Sequence, residues 1–221
     1  MNELREWFYD LLYPPRCMLC RRMMETSDPP VCGRCGALLP EYEGPLPQVP
    51  YFDKAVAPFF YEEPIRGAIH RYKFQGLRNY APQFAQWMAV WVRDKLEGEY
   101  DVVSWVPCSP LRRWSRGFDQ AELLAKELAK ALGTEAVCTL KKIKHNPKQS
   151  GTADAAQRRA NVLGVYCAVD PQRIAGKRIL LVDDVLTTGA TLSECGKVLR
   201  MVGSGDPVCA VIAATRLETK E

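Results

Sequence analysis

The sequence lacks several features that would define a protein class at once. No uncharged stretch approaches the ~18 apolar residues that a membrane-spanning helix needs; Pro207 to Thr215 is a typical one. Internal repeats, low-complexity tracts and the Gly-Lys-Ser/Thr of a P-loop are also missing. Histidine is scarce, and neither His70 nor His145 is assigned as a catalytic base. These absences exclude a membrane-spanning protein, a repeat protein and a P-loop NTPase.

Extremes of composition are missing as well. With 47% hydrophobic and 25% charged residues, the 221-residue chain can bury a sizeable core, which excludes disorder for most of it. A net charge of +4 is too mild to indicate nucleic acid by itself. The charge is uneven, however, because residues 111–160 hold eleven Lys and Arg against five Asp and Glu. This local surplus suggests that an anionic ligand binds close to that stretch.

An export signal is not found either. The apolar residues near the N-terminus have the spacing of an amphipathic helix and are interrupted by charges, unlike a signal peptide. They are Leu4, Trp7, Phe8, Leu11 and Leu12. Without an export signal, the odd number of cysteines argues against a disulfide framework.

The nine cysteines fall into two populations. Five are scattered and are interpreted as small buried hydrophobic residues: Cys108, Cys138, Cys167, Cys195 and Cys209. The others form two Cys-x-x-Cys pairs separated by eleven residues: Cys17, Cys20, Cys32 and Cys35. Four thiolates in paired turns match the tetrahedral geometry of a structural zinc ion, with no open position for catalysis. Two disulfides, free thiols or a redox switch are the alternatives.

After Gly44 and a proline-rich linker, the pattern alternates strands and helices, which predicts a parallel sheet covered on both faces. We therefore expect an N-terminal module over residues 1–44 and an α/β domain over 45–221. Apolar runs predict strands at Ala55–Tyr61, Val102–Val106, Arg178–Val182 and Val208–Ala214. Amphipathic spacing predicts helices at Ile65–Phe74, Phe84–Lys95, Asp119–Leu132 and Thr191–Val202. The capping boxes Asp119–Glu122 and Thr191–Glu194 and the stops Gly133 and Gly203 bound the last two helices.

The most informative segment is a predicted buried strand followed by Asp183, Asp184, a loop and a helix. Ligands bind beyond the carboxyl ends of parallel strands, where loop N–H groups, threonine hydroxyls and the helix dipole favour a phosphate. The predicted phosphate loop comprises Val185, Leu186, Thr187, Thr188, Gly189, Ala190 and Thr191. Because carboxylates repel a phosphate, the two aspartates fit the 2′ and 3′ hydroxyls of a sugar phosphate instead. The alternative is an Asp-Asp turn that ends a core strand, with threonines capping a helix.

This segment resembles the phosphoribosyl-pyrophosphate signature of type I phosphoribosyltransferases. Together with the cysteine pairs, the segments Tyr72–Gly76, Val106–Pro110 and Arg116–Ala121 look like the ComF family of competence proteins over nearly the whole chain. The resemblance implies a type I phosphoribosyltransferase α/β fold, a parallel sheet flanked by helices, behind a small zinc-finger-like module. One departure is Asp119, where many relatives carry Asn.

The resemblance also implies a site that binds phosphoribosyl pyrophosphate with Mg²⁺ and transfers the phosphoribosyl group to an unidentified acceptor. Asp183 and Asp184 would hold the ribose, the phosphate loop would hold the 5′-phosphate, and Arg116 would bind the diphosphate bidentately. Further candidate diphosphate ligands are Lys73, Cys108, Ser109, Arg112 and Arg113. Lys73, Arg112 and Arg113 as ordinary surface cations are the alternative. In this superfamily a flexible loop closes over the substrate, and its candidates here are Lys148, Gln149, Arg158 and Arg159.

Two classes of function remain open. One is an enzyme, in which cations and Mg²⁺ stabilise the departing pyrophosphate. The other is a non-catalytic competence factor that binds single-stranded DNA and uses the sugar-phosphate site as a sensor. The basic surplus fits both, because pyrophosphate and DNA are polyanions, and Trp114 or Phe118 would stack on bases. Core packing is the alternative for Phe118. The family implies competence-machinery partners and DNA uptake at the cytoplasmic side of the membrane.

Overall fold

The computed structural model describes residues 14–26, 29–143 and 164–217. The predicted N-terminal helix and the loop candidates Lys148, Gln149, Arg158 and Arg159 lie outside the described residues. The helices are α1 (Gly33–Gly36), α2 (Ile65–Phe74), α3 (Ala81–Leu96), α4 (Pro110–Arg116), α5 (Gln120–Leu132), α6 (Pro171–Ile174) and α7 (Ala190–Met201). The strands are β1 (Ala55–Val56), β2 (Phe59–Phe60), β3 (Val102–Trp105), β4 (Leu140–Lys142), β5 (Tyr166–Ala168), β6 (Ile179–Leu186) and β7 (Val208–Ala214).

The predicted parallel sheet is confirmed. Strand β6 lies between β3 and β7, and β1 and β2 both pair with the other edge of β7. All of these pairings are parallel. Strands β4 and β5 form a separate antiparallel pair. Alternate residues of β6 face two cores: Leu180 packs with α2, α3 and α5, whereas Leu181 packs with α7. Helices therefore cover both faces, and the all-apolar strands follow from that burial.

The strand predicted over Ala55–Tyr61 is wrong in one respect, because it is broken at its centre. Strand β1 pairs with Cys209 and Ala210, and β2 pairs with Ala213 and Ala214, so two residues between them leave the ladder. Pro58 is one of the two, and it has no N–H to donate to a neighbouring strand.

The helix boundaries were predicted more closely than their caps. Asp119 caps α5 by accepting from the N–H groups of Ala121 and Glu122, at 3.1 and 3.3 Å, as expected. The Thr191–Glu194 capping box is wrong, because α7 begins at Ala190 behind Gly189, which has a φ of +70°. The Glu194 carboxylate instead accepts from the Gly164 N–H at 2.6 Å. Gly189 therefore provides the left-handed residue that this entry into the helix requires.

The N-terminal cysteine segment packs directly on the sheet domain. Cys17, Met18, Leu19 and Cys35 are buried in the same hydrophobic cluster as residues of α2, α3 and α5. The two parts thus share one core, and the boundary expected at residue 44 stays a prediction.

Candidate functional site

Asp183 and Asp184 lie in the carboxyl-terminal half of β6, which runs four residues beyond the predicted end at Val182. The longer strand follows from its pairing with β7, which continues to the register Leu186–Ala214. The Asp184 N–H donates to Asp183 Oδ1 at 2.8 Å. Lys73 Nζ from α2 lies 2.7 Å from Asp184 Oδ1, and the side chains of this ion pair are only 20% and 16% exposed. Both aspartates are therefore fixed by the sheet, and Lys73 pairs with one of the two carboxylates.

The surroundings shift the pKa of Asp183 and of Lys73. Burial, reinforced by the neighbouring Asp184 carboxylate, raises the pKa of Asp183 to about 8. Burial also acts to lower the pKa of Lys73, but the Asp184 carboxylate outweighs it and the net shift is upward. Asp183 therefore favours its protonated form more than an ordinary aspartate does, and it lies beside the Lys73–Asp184 ion pair. Together these groups can both donate and accept hydrogen bonds.

The predicted phosphate loop is shorter in the structure than in the sequence prediction. Val185 and Leu186 belong to β6, and the Leu186 carbonyl accepts from the Thr215 N–H at 3.0 Å. The turn between β6 and α7 comprises residues 187–189, and Thr187 is exposed at its tip. Helix α7 then extends for 12 residues, so its N-terminal N–H groups and dipole face this turn. The phosphate-binding role of these residues stays a prediction.

A cavity of about 430 Å³ lies between α2 and α4, and Lys73 links it to the aspartate pair. Helix α4 starts just after β3 ends and is capped by Ser109, whose Oγ accepts from the Arg112 N–H at 3.3 Å. The cavity is lined by Lys73, Phe74, Gly76, Leu111, Arg112, Ser115 and Arg116. The fold therefore brings three of the predicted diphosphate cations, from two helices, to one cavity.

Two side chains hold the Arg116 guanidinium in place at the cavity. Its Nη1 donates to Gln120 Oε1 at 2.5 Å, and its guanidinium carbon lies 4.7 Å from the centre of the Phe74 ring. Gln120 is buried, with 3% exposure, and its Nε2 has no hydrogen-bond partner among the described residues. Sequence reasoning missed Gln120 and Phe74 as supports, although both lie within the segments quoted for the family resemblance.

The remaining predicted diphosphate ligands are engaged elsewhere in the structure. Arg113 pairs with Glu122 at 3.3 Å and is not among the cavity-lining residues. The Cys108 N–H donates to Asp119 Oδ2 at 2.8 Å, and burial, with the Asp119 charge, raises the pKa of the Cys108 thiol to about 12. Ser109 is buried at the start of α4. The contacts described here are with other parts of the protein. Diphosphate binding by these three residues stays a prediction.

The cysteine cluster fits a metal ion. The sulfurs of Cys17, Cys20, Cys32 and Cys35 all lie within 4.8 Å of one another. The Cys20 and Cys32 sulfurs are 3.8 Å apart, far longer than the ~2.05 Å of a disulfide. Burial acts to raise the pKa of Cys17, but N–H groups directed at its sulfur outweigh it and lower that pKa to about 6. Four converging sulfurs, one of them favoured as thiolate, match the ligand set of zinc.

Comparison with known domains agrees with this architecture. Residues 8–48 match the double zinc ribbon domain, and residues 118–221 match the phosphoribosyl transferase domain. Among solved structures, an adenine phosphoribosyltransferase aligns with a TM-score of 0.40 and 15% identity, over 68% of this chain and 76% of that one. An allosteric regulatory enzyme of purine biosynthesis aligns with a TM-score of 0.39 and 25% identity, over 62% and 25%. The protein thus combines a zinc ribbon with a type I phosphoribosyltransferase fold, as predicted.

Comparison with curated proteins gives the family. Competence protein F of Haemophilus influenzae is 34% identical over 197 residues, which are 85% of each chain. DNA utilization protein YhgH of Escherichia coli is 28% identical over 203 residues, again 85% of each chain. Competence protein ComFC of Streptococcus pneumoniae is 30% identical over 148 residues, 67% of this chain and 62% of that one. The chain belongs to the ComF family of competence and DNA utilization proteins.

Among the described residues, no helix has the length and apolar character needed to cross a bilayer.

Proposed function

We propose that this protein binds phosphoribosyl pyrophosphate together with Mg²⁺ and transfers the phosphoribosyl group to an acceptor. The observation that carries the proposal is the Asp183–Asp184 pair, fixed at the end of β6 beside Lys73 and followed directly by a three-residue turn and α7. A ligand with two adjacent hydroxyls and a phosphate a few ångströms beyond them matches this order of groups.

In this proposal, each part of the ligand has its own place. The ribose hydroxyls face Asp183 and Asp184, and the 5′-phosphate lies at the turn and the start of α7, where N–H groups favour an anion. The diphosphate extends from the ribose into the cavity, towards Arg112 and Arg116. Mg²⁺, when bound to the diphosphate, supplies further stabilisation of the leaving group.

In the reaction, the bond from ribose C1 to pyrophosphate breaks while a bond from C1 to the acceptor nucleophile forms. Negative charge develops on the departing pyrophosphate, and the guanidinium groups on the cavity wall stabilise it without having to reorganise. Arg116 is the main contributor in this proposal, because Gln120 and Phe74 already hold it in position.

The zinc ion, in this proposal, is structural, because all four coordination positions are filled by cysteine sulfurs and no open position is left. We further propose that the protein acts in DNA uptake at the cytoplasmic side of the membrane, with competence-machinery proteins as partners. Its membership of a family named for competence and DNA utilization supports that setting.

Binding calorimetry with phosphoribosyl pyrophosphate, with and without Mg²⁺, tests the proposal. We expect Mg²⁺-dependent binding by the wild type and at least a tenfold loss in Asp184→Asn, because a hydrogen bond to a charged group contributes about 1.5–3 kcal/mol. The matched control is Asp94→Asn, an exposed carboxylate that pairs only with its neighbour Lys95 at 2.8 Å. Absence of Mg²⁺-dependent binding in the wild type would sink the proposal. Product detection with labelled substrate and a pool of acceptors separates transfer from binding.

A specific observation also favours the second candidate function, binding of single-stranded DNA. Trp114 is 84% exposed and Leu111 54% exposed on α4, the helix that carries Arg112 and Arg113. A tryptophan exposed among cations is suited to stack on a base while the cations contact phosphates. Phe118, by contrast, is buried, as core packing predicted.

Fluorescence anisotropy with a labelled oligo-dT at several salt concentrations tests this candidate. Trp114→Ala is expected to weaken binding about 5- to 100-fold, since stacking contributes about 1–3 kcal/mol per base. Met201→Ala, which removes another largely exposed side chain from α7, is the control. Equal affinities for all three proteins would rule out stacking on Trp114.

A further inference from the structure

Three consecutive residues of α2 connect this helix to three separate parts of the molecule. Arg71 Nη2 donates to the backbone carbonyls of Met18 and Leu19, at 2.8 and 2.6 Å. The Tyr72 hydroxyl donates to the Gln120 carbonyl at 2.7 Å, at the start of α5. Lys73 pairs with Asp184 at 2.7 Å. Because successive helical residues point about 100° apart, one short helix contacts the cysteine segment, α5 and the site.

The contact made by Arg71 falls inside the cysteine cluster. Met18 and Leu19 are the two residues between Cys17 and Cys20, so their carbonyls belong to the first Cys-x-x-Cys turn. Both side chains are buried, with 2% and 3% exposure, in the cluster that also contains Tyr72. Hydrogen bonds from a charged donor to two successive carbonyls are strong and directional. The position of α2 is thereby tied to the conformation of this turn.

The turn has little regular structure of its own to hold it. Among residues 14–26 and 29–43, the only helix described is the four-residue α1. Metal binding in such cysteine modules supplies folding free energy, because the ligand geometry exists only in the folded form. Without the ion, the turn keeps backbone hydrogen bonds such as Met18 N–H to the Pro30 carbonyl at 2.9 Å, but loses the link between its sulfurs and those of Cys32 and Cys35. We expect this loss to loosen the two carbonyls that accept from Arg71.

We propose that Arg71 is a positioning residue that couples the metal in the cysteine cluster to the sugar-diphosphate site. It contacts neither ligand, and acts through α2 by setting where Lys73 meets Asp184. Because coupling between sites is reciprocal, metal occupancy and sugar-diphosphate affinity then raise each other. This inference rests on the proposed function for its ligand, and on the described contacts for its path.

The central test follows amide hydrogen exchange in α2, which needs no sugar ligand. Exchange is measured by mass spectrometry with zinc bound and after zinc removal, in the wild type, Arg71→Met and Arg66→Met. Arg71→Met keeps an unbranched side chain and removes the donors. Arg66 lies on the same helix, is largely exposed and pairs with Glu63 at 3.2 Å, so it is the matched control.

Zinc removal is expected to speed exchange in peptides from α2 about tenfold in the wild type and in Arg66→Met. In Arg71→Met, α2 should exchange at the faster rate even with zinc bound, while peptides from β6 and β7 stay protected and report an intact fold. If that variant fails to fold, Arg71→Lys takes its place, with an intermediate rate expected because it keeps the charge with fewer donors. Unchanged α2 exchange on zinc removal in the wild type would overturn the inference, whatever the protein binds.

A second measurement follows zinc release to a chromophoric chelator, with and without Mg²⁺ and phosphoribosyl pyrophosphate. The ligand should slow release about tenfold in the wild type and in Arg66→Met and leave Arg71→Met unchanged. An equal effect in all three proteins would overturn the role of Arg71. No binding by the wild type, with α2 exchange still dependent on zinc, would contradict the proposed function and leave the Arg71 contact supported.

Discussion

The two strand ends that form the candidate site differ in how their charges are held. At the end of β6, Asp183 and Asp184 belong to a strand that is paired on both sides, and Lys73 neutralises one of them. Beyond the end of β3, the arginines lie on α4, a seven-residue helix with no buried residue. The first region is preorganised by the core, whereas the second is held by local side-chain contacts.

This difference suggests a division of roles between the two regions. In the proposed function, the aspartates held in the sheet set where the ribose binds. The arginines of α4 are held by side chains alone: Arg113 pairs with Glu122, whereas Gln120 and Phe74 position Arg116 at the cavity. The three predictions below test the comparison at progressively smaller expected effects.

The largest effect is expected at the preorganised end, in the pH dependence of stability. Unfolded Asp has a pKa near 3.9, while that of Asp183 is raised to about 8, so the folded state binds more protons between about pH 4 and pH 8. Wild-type stability should therefore fall as pH rises through this window. Asp183→Asn should remove that fall and be more stable relative to the wild type at pH 8 than at pH 5.

Urea unfolding at pH 5, 6.5 and 8 measures this difference. Asp94→Asn, which changes a carboxylate exposed by 66%, should keep the wild-type dependence. If the wild type and Asp183→Asn show the same dependence of stability on pH, burial at the end of β6 does not raise the pKa of Asp183.

The second prediction separates two arginines of α4. Arg116→Ala should weaken Mg²⁺-dependent binding of phosphoribosyl pyrophosphate about 10- to 100-fold, because Arg116 faces the cavity with its guanidinium already positioned. Arg113→Ala should change affinity less than about twofold, since Arg113 pairs with Glu122 on the exposed surface. Calorimetry measures the affinity of both variants for phosphoribosyl pyrophosphate. Equal losses of affinity would mean that α4 contributes only its total positive charge.

The smallest effect is expected at Asp119, which connects the segment before α4 to the start of α5. Its carboxylate caps α5 and accepts the Cys108 N–H, so Asp119→Ala should lower the free energy of unfolding by about 1–2 kcal/mol. Asp119→Asn should cost about half of that, because an amide offers one acceptor oxygen for these N–H groups. Urea denaturation measures both, and an asparagine variant as unstable as the alanine variant would show that the charge, rather than the cap, matters here.

Much of this organisation was predictable from the sequence because it depends on local patterns. The apolar runs marked β3, β6 and β7, and the spacing of Cys17, Cys20, Cys32 and Cys35 marked the zinc ribbon. The prediction that all five scattered cysteines are buried is wrong, because only Cys195 and Cys209 are buried and Cys138 is exposed. Other predictions failed where contacts between distant segments decide the structure. Strand β6 continues past Val182 because β7 pairs with it, and Glu194 binds a distant N–H instead of capping its own helix.

The candidate site shows the same limit. Lys73 and Arg116 were candidates for the diphosphate from their residue type, but their partners are far away in the sequence. Lys73 pairs with Asp184 across 111 positions, and Arg116 lies against Phe74 from another helix. Arg71, 53 residues from Met18, gave no signal in the sequence at all.

The sequence by itself determined the parallel α/β class, the four-cysteine ribbon and the aspartate pair that precedes a turn and a helix. These features follow from the periodicity of side chains and from the chemistry of residues that are close together in the sequence. Both can be recognised before the tertiary structure is known. The tertiary structure decided which charges meet, how much water reaches them and how the ribbon contacts α2. Those properties arise from packing between distant segments, where burial and a few hydrogen bonds set the pKa of Asp183 and the position of Lys73.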